Sequence, residues 1–342
     1  MIVDADLKYM NRAFELALKG AGRVSPNPMV GCVIVHQGRI IGEGWHQQYG
    51  GSHAEVNAIN SVDDKSLLSN STAYVTLEPC AHFGKTPPCA DLLVKHRLKR
   101  VVISNKDPFE LVDGSGIQKL EREGIEVSLA VGQESGTAIN KRFFTYHQKK
   151  RPYIILKWAQ TADGFVAREN FDSKWISNAY SRKLVHKWRS EEDAILVGTS
   201  TARYDNPSLT TRDWIGKNPL RLVIDKNLKL DASLHLFDGS TPTICYNLHR
   251  TDKTNNIEWI KVGREDLIGD LLKDLYQRKV QSLFVEGGSK LLQSFIEQNI
   301  WDEARVFSAN TSFGSGIPAP NISGQISSQQ YVGSDLLKIW NR

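Results

Sequence analysis

Cysteine is scarce in this chain of 342 residues: there are four, Cys32, Cys80, Cys89 and Cys245. Four are too few for a disulfide framework in a chain of this length. Cys32 and Cys245 sit in apolar, strand-like runs and read as small buried side chains. No apolar run approaches the roughly 18 residues needed to cross a bilayer, so no membrane partner is expected. The opening Met-Ile-Val-Asp-Ala-Asp-Leu-Lys lacks the basic-then-apolar order of a secretory signal, and the cytoplasm is the expected compartment. A concentrated charge is missing as well. The net charge is +5 and scattered, with no stripe of Lys and Arg interleaved with aromatics, which argues against nucleic acid as a partner. That mild excess suits small anionic molecules such as phosphorylated substrates. Gly-x-Gly-x-x-Gly is absent too, so a Rossmann dinucleotide site is unsupported.

The length suggests two domains, and 40% hydrophobic with 24% charged residues is ordinary for a globular chain. In the first half, Leu7, Met10, Phe14 and Leu18 recur at helical spacing over 5–19. Val30–Val35 and Arg39–Trp45 read as strands joined by a Gln37-Gly38 turn. A helix is expected from about His53, a strand over Thr72–Leu77, and a further helix after Thr86-Pro-Pro-Cys, with Thr86 as its cap. Strands over Arg100–Ser104 and Glu126–Val131 flank a helix near Ile117–Glu123. A single helix covers 134–147. Such a βαβ series predicts a mostly parallel sheet covered on both faces. The basic stretch Gln148-Lys-Lys-Arg-Pro152 reads as a linker, so domains are expected at 1–147 and 151–342.

The second half restarts with a strand over Tyr153–Trp158 and a helix over Asn178–Arg189. Strands follow at Ala194–Val197, Arg221–Ile224 and Thr243–Tyr246. A helix over Asp266–Tyr276, a strand over Ser282–Val285, a helix over Ser289–Glu297 and a strand over Glu303–Phe307 complete it. This too is α/β. The tail after Phe313, rich in Gly, Ser and Gln, shows no usable pattern.

The chemistry concentrates in Ser-His53-Ala-Glu55-Val and Glu-Pro-Cys80-Ala-His-Phe-Gly-Lys-Thr-Pro-Pro-Cys89. One imidazole and two thiolates suit Zn²⁺ and leave a fourth tetrahedral position for water, the design of a catalytic rather than a structural site. Zinc lowers the pKa of bound water from about 15.7 to about 7, and a carboxylate beside it can move the protons. Glu55, two residues from His53, is placed for that role. A helix starting near Cys89 would favour its thiolate form. His-x-Glu or Pro-Cys alone is a chance match; the ordered set resembles the zinc deaminases of bases. His82 lies between the cysteines and is read as facing the metal ligands or the substrate. His36, His96, His147, His186, His235 and His249 are read as surface or structural. Eight residues separate the cysteines, against two in the general deaminase pattern, which disfavours a nucleic-acid or cytidine deaminase. A zinc site kept only for folding would have no use for Glu55 and would carry a fourth protein ligand.

With that long spacing, Thr76-Leu-Glu-Pro-Cys through Cys89, together with Pro26-Asn-Pro-Met-Val-Gly-Cys and Gly51-Ser-His-Ala-Glu, resembles the bifunctional riboflavin-biosynthesis deaminase–reductases. Later segments are similar to their reductase half: Lys157-Trp-Ala-Gln-Thr-Ala-Asp-Gly-Phe-Val-Ala, Ser173-Lys-Trp-Ile-Ser, Arg189 through Arg212, and Phe284-Val-Glu-Gly-Gly-Ser. The resemblance implies a cytidine-deaminase-like α/β/α domain followed by a dihydrofolate-reductase-like α/β domain. It implies deamination of a diamino-ribosylamino-pyrimidinone phosphate, then NADPH-dependent reduction of ribosyl to ribityl, in an assembly of like chains. Carried over residue by residue, His53, Cys80 and Cys89 hold zinc and Glu55 is catalytic. Asn27, Ser173, Arg189, Leu209, Arg212 and Glu286 contact substrate. Ala159, Trp175, Thr201, Asp205 and the Gly287-Gly288-Ser289 turn contact NADPH. That turn follows a strand and opens a helix, where backbone N–H groups can approach a phosphate. Guanidinium groups such as Arg189 and Arg212 grip phosphate bidentately. Lys157 and Asp163 are further candidates to assist reduction.

Overall fold

In the computed structural model, residues 2–81, 87–109, 112, 114–173 and 176–342 are described. The chain falls into two compact units, Met1–Lys150 and Arg151–Arg342.

The first unit opens with α1 (Ile2–Leu18), then the hairpin β1 (Gly31–His36) and β2 (Arg39–Trp45). Gln37 and Gly38 both take positive φ, 47° and 75°, the geometry of a two-residue hairpin turn. Next come α2 (Ala54–Ser61), β3 (Thr72–Leu77), α3 (Cys89–Lys95), β4 (Arg100–Asn105), α4 (Ser115–Arg122), β5 (Glu126–Ser128), α5 (Gln133–Ile139) and α6 (Lys141–Lys149). The sheet runs β2-β1-β3-β4-β5. Its faces are read off the two-residue alternation of the strands. Cys32, Ile34, Val75 and Ile103 pack with Ala58, Ala90 and Leu120 of α2, α3 and α4. Val33, Val35, Tyr74 and Val102 pack with Met10, Ala13 and Phe14 of α1. The result is three layers, α/β/α.

Two expectations need correction here. The sheet is mixed, because β1 is antiparallel to both β2 and β3 and only β3-β4-β5 are parallel. A βαβ reading misses this, because the tight hairpin reverses the chain before β3 joins. The single helix over 134–147 is two, broken at Asn140. The buried Asn140 amide accepts from Met29 N at 2.8 Å and donates to Met29 O at 2.8 Å, imitating a strand partner. That long-range bond is better served by a break than by a continuous helix.

In the second unit the order is β6 (Tyr153–Gln160), β7 (Phe165–Ala167), α7 (Ala179–Glu191), β8 (Ala194–Gly198), α8 (Thr199–Asp205), β9 (Leu220–Ile224), β10 (Thr243–Asn247), β11 (Asp252–Thr254) and β12 (Ile257–Lys261). Then follow α9 (Leu267–Gln277), β13 (Ser282–Val285), α10 (Ser289–Glu297), β14 (Glu303–Ser308), β15 (Ile317–Pro318), β16 (Gln325–Val332) and β17 (Asp335–Asn341). Ten strands form one sheet, β11-β12-β10-β9-β8-β13-β6-β14-β17-β16. The stretch from β12 to β14 is parallel throughout. From β10 to β14 its strands are buried on both faces. Leu156, Leu196 and Leu283 pack with Leu271 of α9 and Phe295 of α10, while Ile155, Val197 and Phe284 pack with Val185 and Trp188 of α7. Double burial explains why these strands read as continuous apolar runs.

The tail forms a hairpin, β16 and β17, antiparallel along β14. It is stitched to the start of α7. Asn178 caps that helix by accepting from Ser181 N at 3.0 Å, and the buried Asp335 accepts from Asn178 N at 2.8 Å and from Ser181 Oγ at 2.6 Å.

Candidate metal centre and reductase site

The metal candidates sit at the ends of three elements of the first unit. His53 is the N-cap of α2, Cys80 lies three residues beyond the end of β3, and Cys89 is the first residue of α3. Helix α2 can carry His53 close to the sheet because β2 offers glycine opposite it. A Cβ at Gly44 would stand 2.2 Å from Ala58 N. His53 Nδ1 lies 3.6 Å from Cys80 Sγ and 3.3 Å from Cys89 Sγ. The edges of a tetrahedron built on ordinary Zn–N and Zn–S bonds are about 3.5 Å, so the donors are spaced to share one zinc ion. Among the described residues, this is the trio of His, Cys, Asp and Glu side chains whose ligand atoms all lie within 4.8 Å of one another. His82, read as facing this site, and Thr86, read as the α3 cap, lie outside the described residues.

The surroundings favour thiolate at Cys80 alone; the bond to Cys80, burial and the charge of Glu55 push Cys89 well above the ordinary cysteine value, against the expectation drawn from the start of α3. The Cys89 thiol hydrogen-bonds to Cys80, and together with His53 and the Cys89 backbone N–H (3.3 Å) it holds Cys80 down to about 4, against the opposing effect of burial. Bonding to Cys80 in turn raises His53 above its ordinary value. Glu55 is only 3% exposed and lies against the Cys89 thiol. Burial first, then the negative charge of Cys80, push its carboxyl above the ordinary glutamate value, partly offset by His53. A buried carboxyl poised to take and return a proton, beside a ligand trio with one open position, is the equipment for hydrolytic chemistry.

Asn27 and His46 complete this end of the unit. The His46 ring packs edge-on against His53 at 5.5 Å. Its Nδ1 lies 3.0 Å from Ser52 O, so Nδ1 carries the proton and Nε2 accepts from Asn27 Nδ2 at 3.0 Å. Burial lowers the His46 pKa and keeps that neutral tautomer. His46 carries no sequence signal; it follows a strand and has no spaced partner.

In the second unit the candidates gather at the C-terminal ends of the parallel strands. Arg189, on α7, and Glu286, just after β13, were expected as separate contacts. They form one buried pair, Arg189 Nε and Nη2 donating to the carboxylate at 2.7 and 2.8 Å. Lys157 lies beside them. Burial and Arg189 lower its pKa while Glu286 opposes. Thr201 stands against the glycine turn, its Oγ1 3.1 Å from where a Cβ at Gly288 would be, and Ser289 begins α10. Ser173 Oγ donates to Asp205 at 3.0 Å. Ala159 is partly buried on the same face. Arg212 is exposed. Leu209 is 2% exposed within the core, and φ there is 54°. Trp175 lies outside the described residues. The buried His186, read as surface or structural, is held by Thr210 O at 2.9 Å and Asp213 at 3.1 Å. Asp163 anchors a loop instead of joining this group, accepting from Thr161 Oγ1 at 2.5 Å, from Phe313 N and from Gly314 N at 2.7 Å.

Fold and site thus define a zinc-dependent deaminase joined to a reductase in one chain. Residues 3–105 match the cytidine and deoxycytidylate deaminase zinc-binding region, and residues 152–341 match the RibD C-terminal domain. The riboflavin biosynthesis protein RibD of Aquifex aeolicus is 40% identical over 323 residues, covering 93% of this chain and 90% of the relative. That of Actinobacillus pleuropneumoniae is 38% identical over 97% of this chain and 94% of the relative. A Thermotoga maritima diaminohydroxyphosphoribosylaminopyrimidine deaminase/5-amino-6-(5-phosphoribosylamino)uracil reductase superposes with a TM-score of 0.92 at 36% identity, over 100% of this chain and 99% of that one. Acinetobacter baumannii RibD gives 0.90 at 30% identity, over 99% of both chains. The chain belongs to the RibD family of bifunctional riboflavin-biosynthesis deaminase–reductases. Its cofactors are zinc in the deaminase half and NADPH in the reductase half.

Proposed function

We propose that residues 1–147 perform the deamination and residues 151–342 the reduction, on the pyrimidine phosphates that the Thermotoga maritima relative's description specifies. First, 2,5-diamino-6-(5-phosphoribosylamino)pyrimidin-4(3H)-one exchanges one amino group for oxygen, with water entering and ammonia leaving. The ribosyl group is then reduced to ribityl by NADPH. The observation that carries the first step is the buried Glu55 beside His53, Cys80 and Cys89.

When bound to that trio, zinc supplies an activated water near neutral pH. The chain's own residues do the rest. A Glu55 carboxylate oxygen takes one proton from the water and passes it to the ring nitrogen, then takes the second from the added hydroxyl and passes it to the amino group, which leaves as ammonia, a task its raised pKa suits. Asn27, its amide fixed by His46, presents Oδ1 to the pyrimidine's donors.

For reduction, the hydride chemistry belongs to the nicotinamide, and the protein positions it. Thr201, Asp205 and the Gly287-Gly288-Ser289 turn are supported as NADPH contacts by their convergence at the strand ends, with Ala159 and Trp175 assigned by resemblance. Ser173, Leu209, Arg212 and the Arg189–Glu286 pair are assigned to the substrate. Because Arg189 is already gripped by Glu286, the exposed Arg212 is the better phosphate ligand.

Among the described residues, no helix is long and apolar enough to cross a membrane. A cytoplasmic location is supported by thiolate ligands that must stay reduced. A homo-oligomer is supported by β16, an edge strand with Ile326 and Tyr331 exposed, the kind of edge that pairs with a second chain. Light scattering on purified protein tests this.

Turnover of the diamino-pyrimidine phosphate with and without NADPH tests both halves. Deamination should proceed without NADPH, and NADPH oxidation should require the deaminated product. Glu55→Gln should slow deamination by about 10²–10⁴-fold. It should keep zinc and keep reduction of supplied deaminated substrate. Retained deamination would remove Glu55 from the mechanism.

A further inference from the structure

Glu78 is the residue before Pro79-Cys80 and is 4% exposed. Its surroundings are unusual for a buried carboxylate. No Lys or Arg side chain forms an ion pair with it among the described residues. It accepts instead from four backbone N–H groups. Oε2 takes Asp107 N at 3.3 Å and Gly114 N at 3.1 Å; Oε1 takes Gly116 N at 3.0 Å and Ile117 N at 3.3 Å. Two of these donors belong to the first turn of α4, where the orphan N–H groups and the helix dipole favour an anion. The other two come from the segment that leads there from β4.

The backbone is tied at the same place. Glu78 N donates to Asn105 O at 2.9 Å, extending the β3–β4 ladder by one residue beyond Leu77. Gly116 then passes so close to the following residue that a Cβ there would lie 2.0 Å from Pro79 O. The Glu78-Pro79-Cys80 turn is therefore held from two sides, by a four-fold carboxylate grip and by a backbone contact that only glycine permits.

We propose that Glu78 is a positioning residue for the metal: it fixes the turn that aims Cys80 Sγ at His53 and Cys89. This rests on the reading of His53, Cys80 and Cys89 as zinc ligands. Residues that orient a metal ligand typically change metal affinity 10–100-fold when altered. The carboxylate is needed rather than a shape of that size, because all four partners are donors. In Glu78→Gln one oxygen becomes an NH₂ group that must face two N–H groups, whichever way the amide is turned.

The test uses the full chain loaded with zinc. Zinc release into excess chelator is followed for wild type, Glu78→Gln, Gly116→Ala and Leu68→Ala, the last a core substitution in the same unit. Glu78→Gln and Gly116→Ala should release zinc at least about tenfold faster, and in Co²⁺-substituted protein they should alter the ligand-field absorption. Leu68→Ala should lower the melting temperature without changing either. NADPH-dependent reduction of supplied deaminated substrate should stay within about twofold in all. If Glu78→Gln does not fold, Glu78→Asp, which keeps the charge but withdraws it by one methylene, carries the same readout. Wild-type release rate and an unchanged Co²⁺ spectrum in a folded Glu78 variant would overturn the inference while leaving the ligand set intact. A wild-type chain that holds no metal would instead overturn the ligand set, and this inference with it.

Discussion

Glu286→Gln isolates the energetics of the reductase cluster. The Glu286 side chain is 8% exposed, and its carboxylate takes two N–H bonds from Arg189 at 2.7 and 2.8 Å while Lys157 stands nearby. Burial alone would raise the Glu286 pKa. Arg189, through charge and hydrogen bonds, and Lys157 more than offset it, so the net shift is downward. The substitution leaves two cations without their carboxylate and turns an amide NH₂ toward one guanidinium N–H. Breaking a buried pair by neutralising one partner costs about 3–5 kcal/mol, and the retained carbonyl acceptor places this variant near the lower end, about 3 kcal/mol. For a unit of this size that lowers the melting temperature by about 6–12 °C. Tryptophan fluorescence is a suitable probe, since of the eight tryptophans only Trp45 falls in the first unit. Being buried, the effect should survive 1 M salt. It also has a pH signature. A carboxyl with a depressed folded pKa contributes stability that is fully present above its unfolded value, about 4.3, and is lost as pH falls through the folded value. The difference between wild type and Glu286→Gln should therefore shrink below about pH 4. Replacing both partners, Arg189→Met with Glu286→Leu, should recover most of the loss. A shift under about 2 °C, or one abolished by salt, would refute the picture of a buried, mutually dependent pair.

Three further outcomes are expected. Asp6 is buried against the Arg100 guanidinium (2.8 and 2.9 Å) and Tyr74 Oη (2.8 Å), and these bonds overcome burial to hold its pKa below the ordinary value. Asp6→Asn should cost the first unit about 3 kcal/mol in urea unfolding followed by far-UV circular dichroism, a penalty present above about pH 4 and fading as acid protonates the wild-type carboxyl. Arg221 is 0% exposed, with its donors met by Thr243 Oγ1, His235 O, Asp238 and Thr241 O. Arg221→Met, which removes these bonds from the buried guanidinium site, should lower the second unit's stability by about 3 kcal/mol, and a loss under 1 kcal/mol in fluorescence-monitored unfolding would contradict this. Stripping zinc with a chelator should lower the melting temperature of the first unit and abolish deamination while NADPH-dependent reduction continues; loss of both activities would argue against independent sites.

Much of the secondary structure follows from burial on two faces. Strands β3 and β13 and helix α10 have the bounds that their apolar runs, caps and glycine boundaries predict: Thr72–Leu77, Ser282–Val285 and Ser289–Glu297. These elements are apolar because helices cover both sides of each sheet. Strand β16 is the opposite case. Gln325–Val332 is exposed at nearly every position, so neither face imposes a period, and only its pairing with β17 makes it a strand. Strand direction was equally hidden. Alternation says which face a residue occupies but not whether the neighbour runs the same way, so the antiparallel β1–β3 pairing left no trace. The break at Asn140 depends on Met29, more than a hundred residues away in the chain.

The metal site was legible for a narrower reason. Its ligands stand at element ends, the start of α2, the end of β3 and the start of α3, and each end carries a local signal. Cys89 N and Ala90 N both bond back to Cys80, to Sγ at 3.3 Å and to O at 3.1 Å, and so close the loop on itself. The number of residues in that loop can therefore mark a family without altering the metal geometry. The supports were not legible, because they act through atoms every residue shares. Glu78 works through four backbone amides. His46 works through a tautomer chosen by the Ser52 carbonyl, which then sets the direction of the Asn27 amide. Arg189 and Glu286 show the same limit from the other side: each residue type was recognisable as a binder of charge, yet whether they grip a ligand or one another depends on α7 and β13 meeting in space. Residue identity thus conveys what a side chain can do chemically, while the partner that decides its role comes from topology.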